Sequence, residues 1–428
     1  RGDRADRFAV MARESALFVQ NVSLSLHNAG AVHQSGGDVT LKRVDVVDER
    51  GGMGSLLNVE GGRTVLDDVT VLGSPRGRDS ALLTAREAQL FIRDGRIEPG
   101  GGDRSLGIRA ESSRLAIGSS EIQAGTGARS ARGVYATGGS LRIIDSRFST
   151  SERSRIATAV TADDAQTTIE GSTFTLRGSG GVAGVAVQGG RLTLGRSVFD
   201  AQGVVSGFLH LVAVRSTTSD LVANAFVARD AGEAIVARVT SSNVRFVNNT
   251  AVTEEIRGAA FGINAGGSSS VLLQNSLFSH DGSGNGRAVF AADRGATFTL
   301  RTNSFEGWES LYERSVGGFT RAQSMRSATL SSLNGTDSLE GVTARGNISG
   351  SAPAELDTAD RVPRLGAGAA EIDAGSVPPE DLPYRSVDVE GQPRPAPAAG
   401  ERPEEGDSPA GAASETGTYD IGADEFYR

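Results

Sequence analysis

Residues 138–148 read GGSLRIIDSRF, and residues 189–199 repeat the same pattern as GGRLTLGRSVF. A pair of small residues precedes an alternation of apolar and polar positions, which ends in a serine and an aromatic residue. Two further copies read GGDVTLKRVDV at 36–46 and SSRLAIGSSEI at 112–122. A period of two predicts short β-strands, and glycine or serine pairs allow the backbone to turn. Each repeat is therefore predicted to contain two short alternating strands joined by a corner.

The pattern recurs along most of the chain at a nearly constant interval. The second apolar position of the pattern serves as a marker, and successive markers lie 25 to 27 residues apart. A weaker, earlier turn contains Leu17, Val19, Val22 and Leu24. Such regularity indicates stacked structural repeats. The markers are Leu41, Leu66, Ile92, Ile117, Ile143, Ile169, Leu194, Leu221, Phe246, Leu273 and Leu300.

Two other columns of residues keep phase with the marker. Five positions after it come apolar residues, which are Val46, Val71, Ile97, Ile122, Phe148, Phe174, Phe199, Phe226, Ala251, Phe278 and Phe305. Three positions after it come Ser120, Ser146, Ser172, Ser197, Asn224, Asn249, Ser276 and Asn303. Stacked repeats would turn these columns into ladders, apolar ones in the core and serine or asparagine ones at a corner.

These features predict an all-β fold, a right-handed single-stranded parallel β-helix of about 12 coils with a proline-rich C-terminal tail. A repeat of this length is too short for a propeller blade, and no helical periodicity supports a leucine-rich repeat. We expect a short N-terminal cap over 1–14 and the β-helix over 15–350, with an insertion at 306–338. Residues 351–428 hold 17 acids, 6 arginines and ten of the 12 prolines. This segment is predicted to pack on the body or on a neighbour.

Composition excludes several classes of protein. The net charge of −9 comes from the tail, since residues 1–350 are nearly neutral, and this gives no electrostatic case for binding nucleic acid. No apolar run is long enough for a transmembrane segment. The chain has no cysteine, hence no disulfide or thiolate metal site. The four histidines occupy different coil phases, so neither a metal nor any other cofactor is expected. The first residue is Arg1, and we interpret the chain as a mature one without its signal peptide.

One group of charged residues is a weak candidate for catalysis. Arg43, Asp68, Asp94 and Asp145 share the position two residues after the marker. Stacking would bring them within reach of each other, where acids and a base could act on a polysaccharide. The alternative is an exposed ladder of salt bridges that contributes little energy.

A second candidate is the aromatic insertion. Trp308, Tyr312 and Phe319 lie where the regular step fails. They could bind a glycan or another partner, or they could seal the end of the body with apolar surface.

The tail carries a resemblance to a known family. Its residues EIDAG at 371–375, then Asp388, Gly391, Arg394 and Pro395, and finally YDIGADEF at 419–426, resemble the C-terminal DIGA-E signature of bacterial right-handed parallel β-helix repeat proteins. These belong to the pectate-lyase-like β-helix superfamily and often carry an anchor after the signature. The resemblance implies a secreted or surface-exposed protein. The signature itself is expected to clamp the tail onto the last coils.

We therefore expect a non-enzymatic structural or adhesive protein, secreted or displayed on a bacterial cell surface, which assembles into extracellular filaments or a surface layer. Its partners would be further copies, other surface proteins or glycans. Regular, short connections leave little room for the long loops that form polysaccharide lyase clefts. The alternatives are a polysaccharide lyase or hydrolase, or a glycan-binding module on the β-helix face.

Overall fold

The structure is a computed structural model. It describes residues 8–27, 29–48, 55–74, 81–101, 103–204, 206–315, 330–335, 341–349, 355–356, 363–364, 374–384, 387–390, 392 and 421–422. The chain forms two compact units. The first unit comprises Arg1–Arg191 with Gly203–Gly207, and the second comprises Leu192–Gln202 with Phe208–Arg428. Each unit is an all-β parallel solenoid, which confirms the predicted fold class.

Each coil contributes strands to three faces. In the first unit, the strands of face one are Phe8–Arg13, Gly30–Ser35, Leu57–Glu60, Leu83–Arg86, Arg104–Glu111, Ser130–Thr137, Ile156–Asp163 and Gly181–Gln188. Face two has Gln89–Arg93, Arg114–Gly118, Ser140–Ile144 and Gln166–Glu170, and face three has Arg96–Pro99, Glu121–Ala124, Arg147–Thr150 and Thr173–Leu176. In the first coils, faces two and three are joined as Ala16–Leu26, Asp38–Asp48 and Arg63–Gly73.

The second unit repeats this arrangement. Face one consists of Phe208–Arg215, Glu233–Thr240, Ala259–Gly266, Asn285–Ala291 and Ser310–Arg314. Face two consists of Arg191–Gly195, which begins at the boundary between the units, and Thr218–Val222, Asn243–Val247, Ser270–Gln274, Thr297–Arg301 and Val342–Arg345. Face three consists of Val198–Gln202, Ala225–Arg229, Thr250–Glu254, Leu277–His280, Ser304–Glu306 and Ile348–Ser349. A short helix spans Leu330–Asn334, and Glu355–Leu356 pairs antiparallel with Pro363–Arg364.

The register agrees with the predicted columns. In the first unit Leu41 pairs with Leu66, and the same column continues to Ile143 and Ile169. In the second unit the column runs from Leu221 through Phe246, Leu273 and Leu300 to Ala344. The marker side chains Ile143, Ile169 and Leu273 have no exposed surface. Their burial removes apolar area from water along the whole column and is the main source of stability in such a fold.

Three strands per coil, not two, is a correction to the sequence analysis. The marker and the apolar residue five positions later lie in separate strands from Gln89 onward. The residue two positions after the marker has a positive φ, near 50°, in nearly every coil. This left-handed residue turns the chain, so we call the turn between faces two and three the second corner. The turn between faces one and two is the first corner, where Gly138 and Gly139 have φ values of 64° and 68°.

Serine and asparagine ladders satisfy the buried backbone at the second corner. In the first unit, the Ser120 hydroxyl accepts a hydrogen bond from the Gly95 N–H at 3.0 Å and donates to the Gly118 carbonyl at 2.7 Å. Ser146 repeats both bonds one coil later. Buried backbone groups need partners, and the side chains supply them once per coil. This column is therefore structural.

Two predicted boundaries need correction. Phe8–Arg13 pairs parallel with Gly30–Ser35, so this part of the expected N-terminal cap is the first strand of a coil. At the other end, Ser310–Arg314 pairs with Asn285–Ala291 as an ordinary strand of face one. The extra residues of that coil therefore follow Arg314 and do not begin at residue 306. In both places the alternation was present, but neighbouring irregular sequence obscured it.

Candidate functional site

The four charged candidates all lie at the second corner of the first unit. Arg43, Asp68, Asp94 and Asp145 are exposed, and their φ values are 52°, 55°, 51° and 48°. Aspartate is one of the few residues that tolerate this left-handed conformation, because its short side chain can bond locally. The backbone at the corner thus accounts for the three aspartates without invoking catalysis.

Ion pairs engage part of this corner. Lys42 Nζ lies 3.0 Å from Asp67 Oδ2, and Arg93 Nε lies 3.2 Å from Asp94 Oδ2. The side chains of Arg93 and Asp94 are 77% and 49% exposed, so the pair is worth little energy. Because Asp67 pairs in register with Arg93, Asp68 and Asp94 follow each other in adjacent coils. The arrangement matches the predicted charged ladder more closely than a desolvated acid–base pair.

A polar groove includes one of these candidates. It has a volume of about 320 Å³ and is lined by Ser119, Ser120, Glu121, Asp145, Ser146, Arg147, Gly171 and Thr173. Glu121, Arg147 and Thr173 lie in successive strands of face three and pair in register. The Ser120 and Ser146 hydroxyls already bond to the backbone and form its floor.

The groove offers several exposed polar groups to a ligand. Two carboxylates, of Glu121 and Asp145, can accept hydrogen bonds, and the guanidinium of Arg147 can donate them. Such a set suits the hydroxyls of a carbohydrate. Within the described residues, no group of three or more His, Asp and Glu side chains is arranged to hold a metal ion.

The aromatic candidates are placed in the interior of the second unit. Trp308 is 8% exposed, its Nε1 donates to the Phe278 carbonyl at 3.0 Å, and its ring stacks on His280. Tyr312 is 1% exposed. Neither ring presents a face to solvent on which a sugar could stack. Phe319 lies outside the described residues.

The C-terminal tail covers the second corner of the second unit, a surface whose residues were not identified from the sequence. The Gln274 Nε2 donates to Ser376 Oγ and to the Val377 carbonyl, both at 2.9 Å. The Ser376 N–H donates to Asn275 Oδ1 at 2.9 Å, and Arg245 Nη1 lies 2.5 Å from Asp381 Oδ2. Polar groups of the tail are thus matched to this corner residue by residue.

Apolar contacts accompany these bonds. Leu382 packs with Val222, Ala223 and Val247, and the ring of Tyr384 lies beside them. Further along, Val389 packs with Ala225. A signal for this docking is present in the sequence: the position after the marker is valine in two successive coils here, Val222 and Val247, whereas the first unit has Lys42, Asp67, Arg93, Gly118, Ile144 and Glu170. Outward valines in two adjacent coils form an apolar patch, and such a patch indicates that something covers it.

Residues of the signature meet on this surface. Ile421 has no exposed surface and packs with Val252, Leu277 and Ala374. The Gly422 N–H donates to the Asn275 carbonyl at 2.9 Å, and Asp388 is fully buried, with its Oδ1 accepting from the Gln392 N–H at 2.7 Å. Ile421 and Gly422 therefore hold this part of the tail on the second unit, and the Asp388 bond lies within the tail. Residues 371–373, Gly391, Arg394, Pro395, 419–420 and 423–426, which were also quoted for the resemblance, lie outside the described residues.

The described part of the chain contains no helix long and apolar enough to cross a membrane. No protein-family model matches the chain, and no curated protein matches its sequence.

Proposed function

We propose that the chain is a non-enzymatic structural or adhesive protein, exported and displayed on a bacterial surface. One observation carries this proposal: the acidic candidates for a catalytic site are exposed, left-handed corner residues that lie in different coils. Catalysis by carboxylates depends on environments that push two pKa values apart, which calls for burial or close like-charge pairs. An exposed ladder of charged residues has a different role, because surface charges keep an exposed β-surface soluble.

Two features support the proposal. Short turns of residues 125–129 and 151–155 join faces three and one in the first unit, and they leave little material to build the walls of a cleft. The resemblance of the tail to the DIGA-E signature of secreted β-helix proteins supports export. Solenoids of this type offer extended, regular surfaces for contacts with other molecules.

Labelling of intact cells tests the proposal. Antibodies against the purified chain are applied to unpermeabilised cells of the source organism and examined by immunoelectron microscopy. Label at the outer surface or on extracellular material is the expected result. Label that is seen only after permeabilisation would contradict it.

A second candidate function is glycan binding at the polar groove of the first unit, which is favoured by its volume of about 320 Å³ and its mixed polar lining. The described lining contains more acid than base, so a neutral polysaccharide would suffer less repulsion than an acidic one.

Binding of dextran, mannan and polygalacturonate, measured by calorimetry, tests this candidate. Arg147→Ala is expected to weaken binding of a neutral polymer at least tenfold. The matched control is Arg142→Ala, an outward residue of the neighbouring strand Ser140–Ile144. Equal binding by both variants, or binding of no polymer, would dismiss the groove as a glycan site.

A further inference from the structure

The contact between the tail and the second unit has the character of a peptide-binding site. We call the surface of the second unit that the tail contacts the corner strip. It is formed by Gly195, Arg196, Val222, Ala223, Arg245, Val247, Gln274 and Asn275. It combines apolar burial of Leu382 with an ion pair to Asp381 and bonds to Ser376. Specific polar partners on both sides of an apolar contact define register as well as affinity.

The backbone of the strip is also adapted to its occupant. Gly195 lies against the ring of Tyr384 so closely that a Cβ at this position would collide with the ring. The Arg196 guanidinium lies 6.0 Å from the centre of the same ring, at the limit of a cation–π contact. At Asn275, the side-chain oxygen accepts from both the Ser376 N–H and the Ser376 hydroxyl, at 2.9 and 3.2 Å. The strip therefore recognises the sequence around Ser376–Tyr384 and not apolar surface in general.

The connection between the body and the docked segment is long. Ser349 ends the last strand of face three, and Ala374 is the next residue packed on the strip side of the unit. Between them, Glu355–Leu356 pairs with Pro363–Arg364. The remaining 14 residues, five before this pair and nine after it, can span up to about 45 Å when extended. A connection of this length is long enough for the docked segment to reach the corner strip of another copy of the chain.

We propose that the corner strip also binds the tail of a second copy, so that two chains can exchange their C-terminal segments. The occupant is argued from the contacts above, since each chain carries both the strip and the segment that fits it. Exchange uses the same contacts in both states, and its equilibrium depends on local concentration. The inference deepens the proposed function, because it names a contact by which copies displayed at high density would join.

Two full-length variants test the exchange. Leu382→Asp places a charge on the tail where it meets Val222 and Val247, and leaves the strip intact. Ala223→Arg fills the strip from its outward corner position and leaves the tail intact. Neither variant alone has both an intact strip and an intact tail. In a mixture, the intact strip of the Leu382→Asp variant can bind the intact tail of the Ala223→Arg variant. Because the protein has no cysteine, one Asn285→Cys substitution in each variant provides a unique site for donor or acceptor dyes.

The expected result is energy transfer and a species of twice the 44.2 kDa chain mass in the equimolar mixture, and neither in each variant alone. Both variants must first show the wild-type circular dichroism spectrum and unfolding midpoint. If Ala223→Arg fails this check, Gly195→Leu replaces it, since a side chain there meets the Tyr384 ring.

Absence of the complex in a mixture of folded variants at 100 μM, a concentration of our choosing, would overturn the exchange. The same conclusion would follow if a synthetic peptide of residues 374–392 bound the Leu382→Asp variant while the mixture stayed monomeric, because the strip would then act only within one chain. Neither outcome bears on the immunolabelling result, so the proposed surface role is tested separately.

Discussion

Asn224 and Asn249 occupy the same corner of adjacent coils, and Asn249 Oδ1 accepts hydrogen bonds from both the backbone N–H and the side-chain amide of Asn224, at 2.9 and 3.0 Å. The Asn249 amide in turn donates to the carbonyls of Leu221 and Val247 at 2.8 and 3.0 Å. A single buried side chain thus closes the backbone hydrogen bonding of two coils. In the first unit, serine does the same with a shorter side chain.

Asn249→Ala should lower the free energy of unfolding by about 3 kcal/mol or more, because it leaves several buried backbone and amide groups without partners. Chemical denaturation followed by circular dichroism measures the change. Asn264→Ala, at a half-buried outward position of face one, is the control and should stay within about 0.5 kcal/mol of wild type. Equal effects would mean that the ladder contributes no more than an ordinary surface asparagine.

Ile169→Asp should prevent folding, or cost at least about 4 kcal/mol, because it places a charge in a column of apolar side chains. Ile169 has no exposed surface and pairs with Ile143. The measurement is the unfolding midpoint together with the far-ultraviolet spectrum. Thr168→Asp, one residue away on the outward side of the strand, should fold normally. A wild-type midpoint for Ile169→Asp would show that the register of the column is wrong.

Substitutions at Asp145 test whether the left-handed backbone selects the residue at this corner. The backbone of Asp145 has a φ of 48°, a conformation that glycine adopts freely. Asp145→Gly should therefore leave the free energy of unfolding unchanged or raise it slightly, as Gly171 occupies the same position one coil later. Asp145→Val should cost about 1–2 kcal/mol, since a β-branched residue is strained in the left-handed region. Thermal unfolding compares the two variants. If valine is tolerated as well as glycine, backbone conformation does not select the residue here.

No lyase or glycosidase turnover is expected from the purified chain on acidic or neutral polysaccharides. The acids of the corner are exposed, and the described turns 125–129 and 151–155, in the coils around Asp145, are short. Release of reducing ends and ultraviolet absorbance of unsaturated products are the assays, with a known lyase as positive control. Product formed by wild type and abolished by Asp94→Ala would reverse this conclusion and favour the enzymatic alternative.

His210 should make the second unit sensitive to acid. Burial, with a contribution from the charge of Arg238, lowers the pKa of His210 from 6.5 to about 4. The folded state therefore binds a proton at His210 less readily than the unfolded state does. The contribution of His210 to the free energy of unfolding is fully present above pH 6.5 and is lost as the pH falls from there to about 4, by at most roughly 3 kcal/mol.

Denaturation midpoints measured between pH 7 and pH 4 test this sensitivity. His210→Gln should flatten the decline in stability relative to wild type. Asn264→Gln, a substitution without a titrating group on the same face of the second unit, is the control and should leave the slope unchanged. Identical slopes for wild type and His210→Gln would contradict the prediction.

The apolar columns were predictable because alternation and spacing are local properties of the chain. Leu41, Leu66 and Ile92 fall on one ladder as soon as coils of constant length are stacked. The third strand of each coil was less visible. Asp94 and Asp145 were recognised as charged, but their left-handed backbone, which divides the strand, is not apparent from charge alone. One signal could have identified the corner. The position two residues after the marker is aspartate in some coils and glycine in another, and both residue types tolerate a left-handed backbone.

By itself, the sequence determined the repeat, the inward columns and the parallel stacking, since a period of two and a step of 25 to 27 residues leave few other ways to bury the apolar residues. Only the tertiary structure decided which outward residues are covered. The bond from Gln274 to Ser376 joins residues 102 positions apart, and no local pattern encodes such a partner. For Trp308 the sequence left a binding role and an apolar seal open, and its burial and the bond from its Nε1 to the Phe278 carbonyl depend on the tertiary structure. Burial of outward-facing groups depends on chain segments that are distant in sequence, and the free energy of those contacts is decided only when the segments meet.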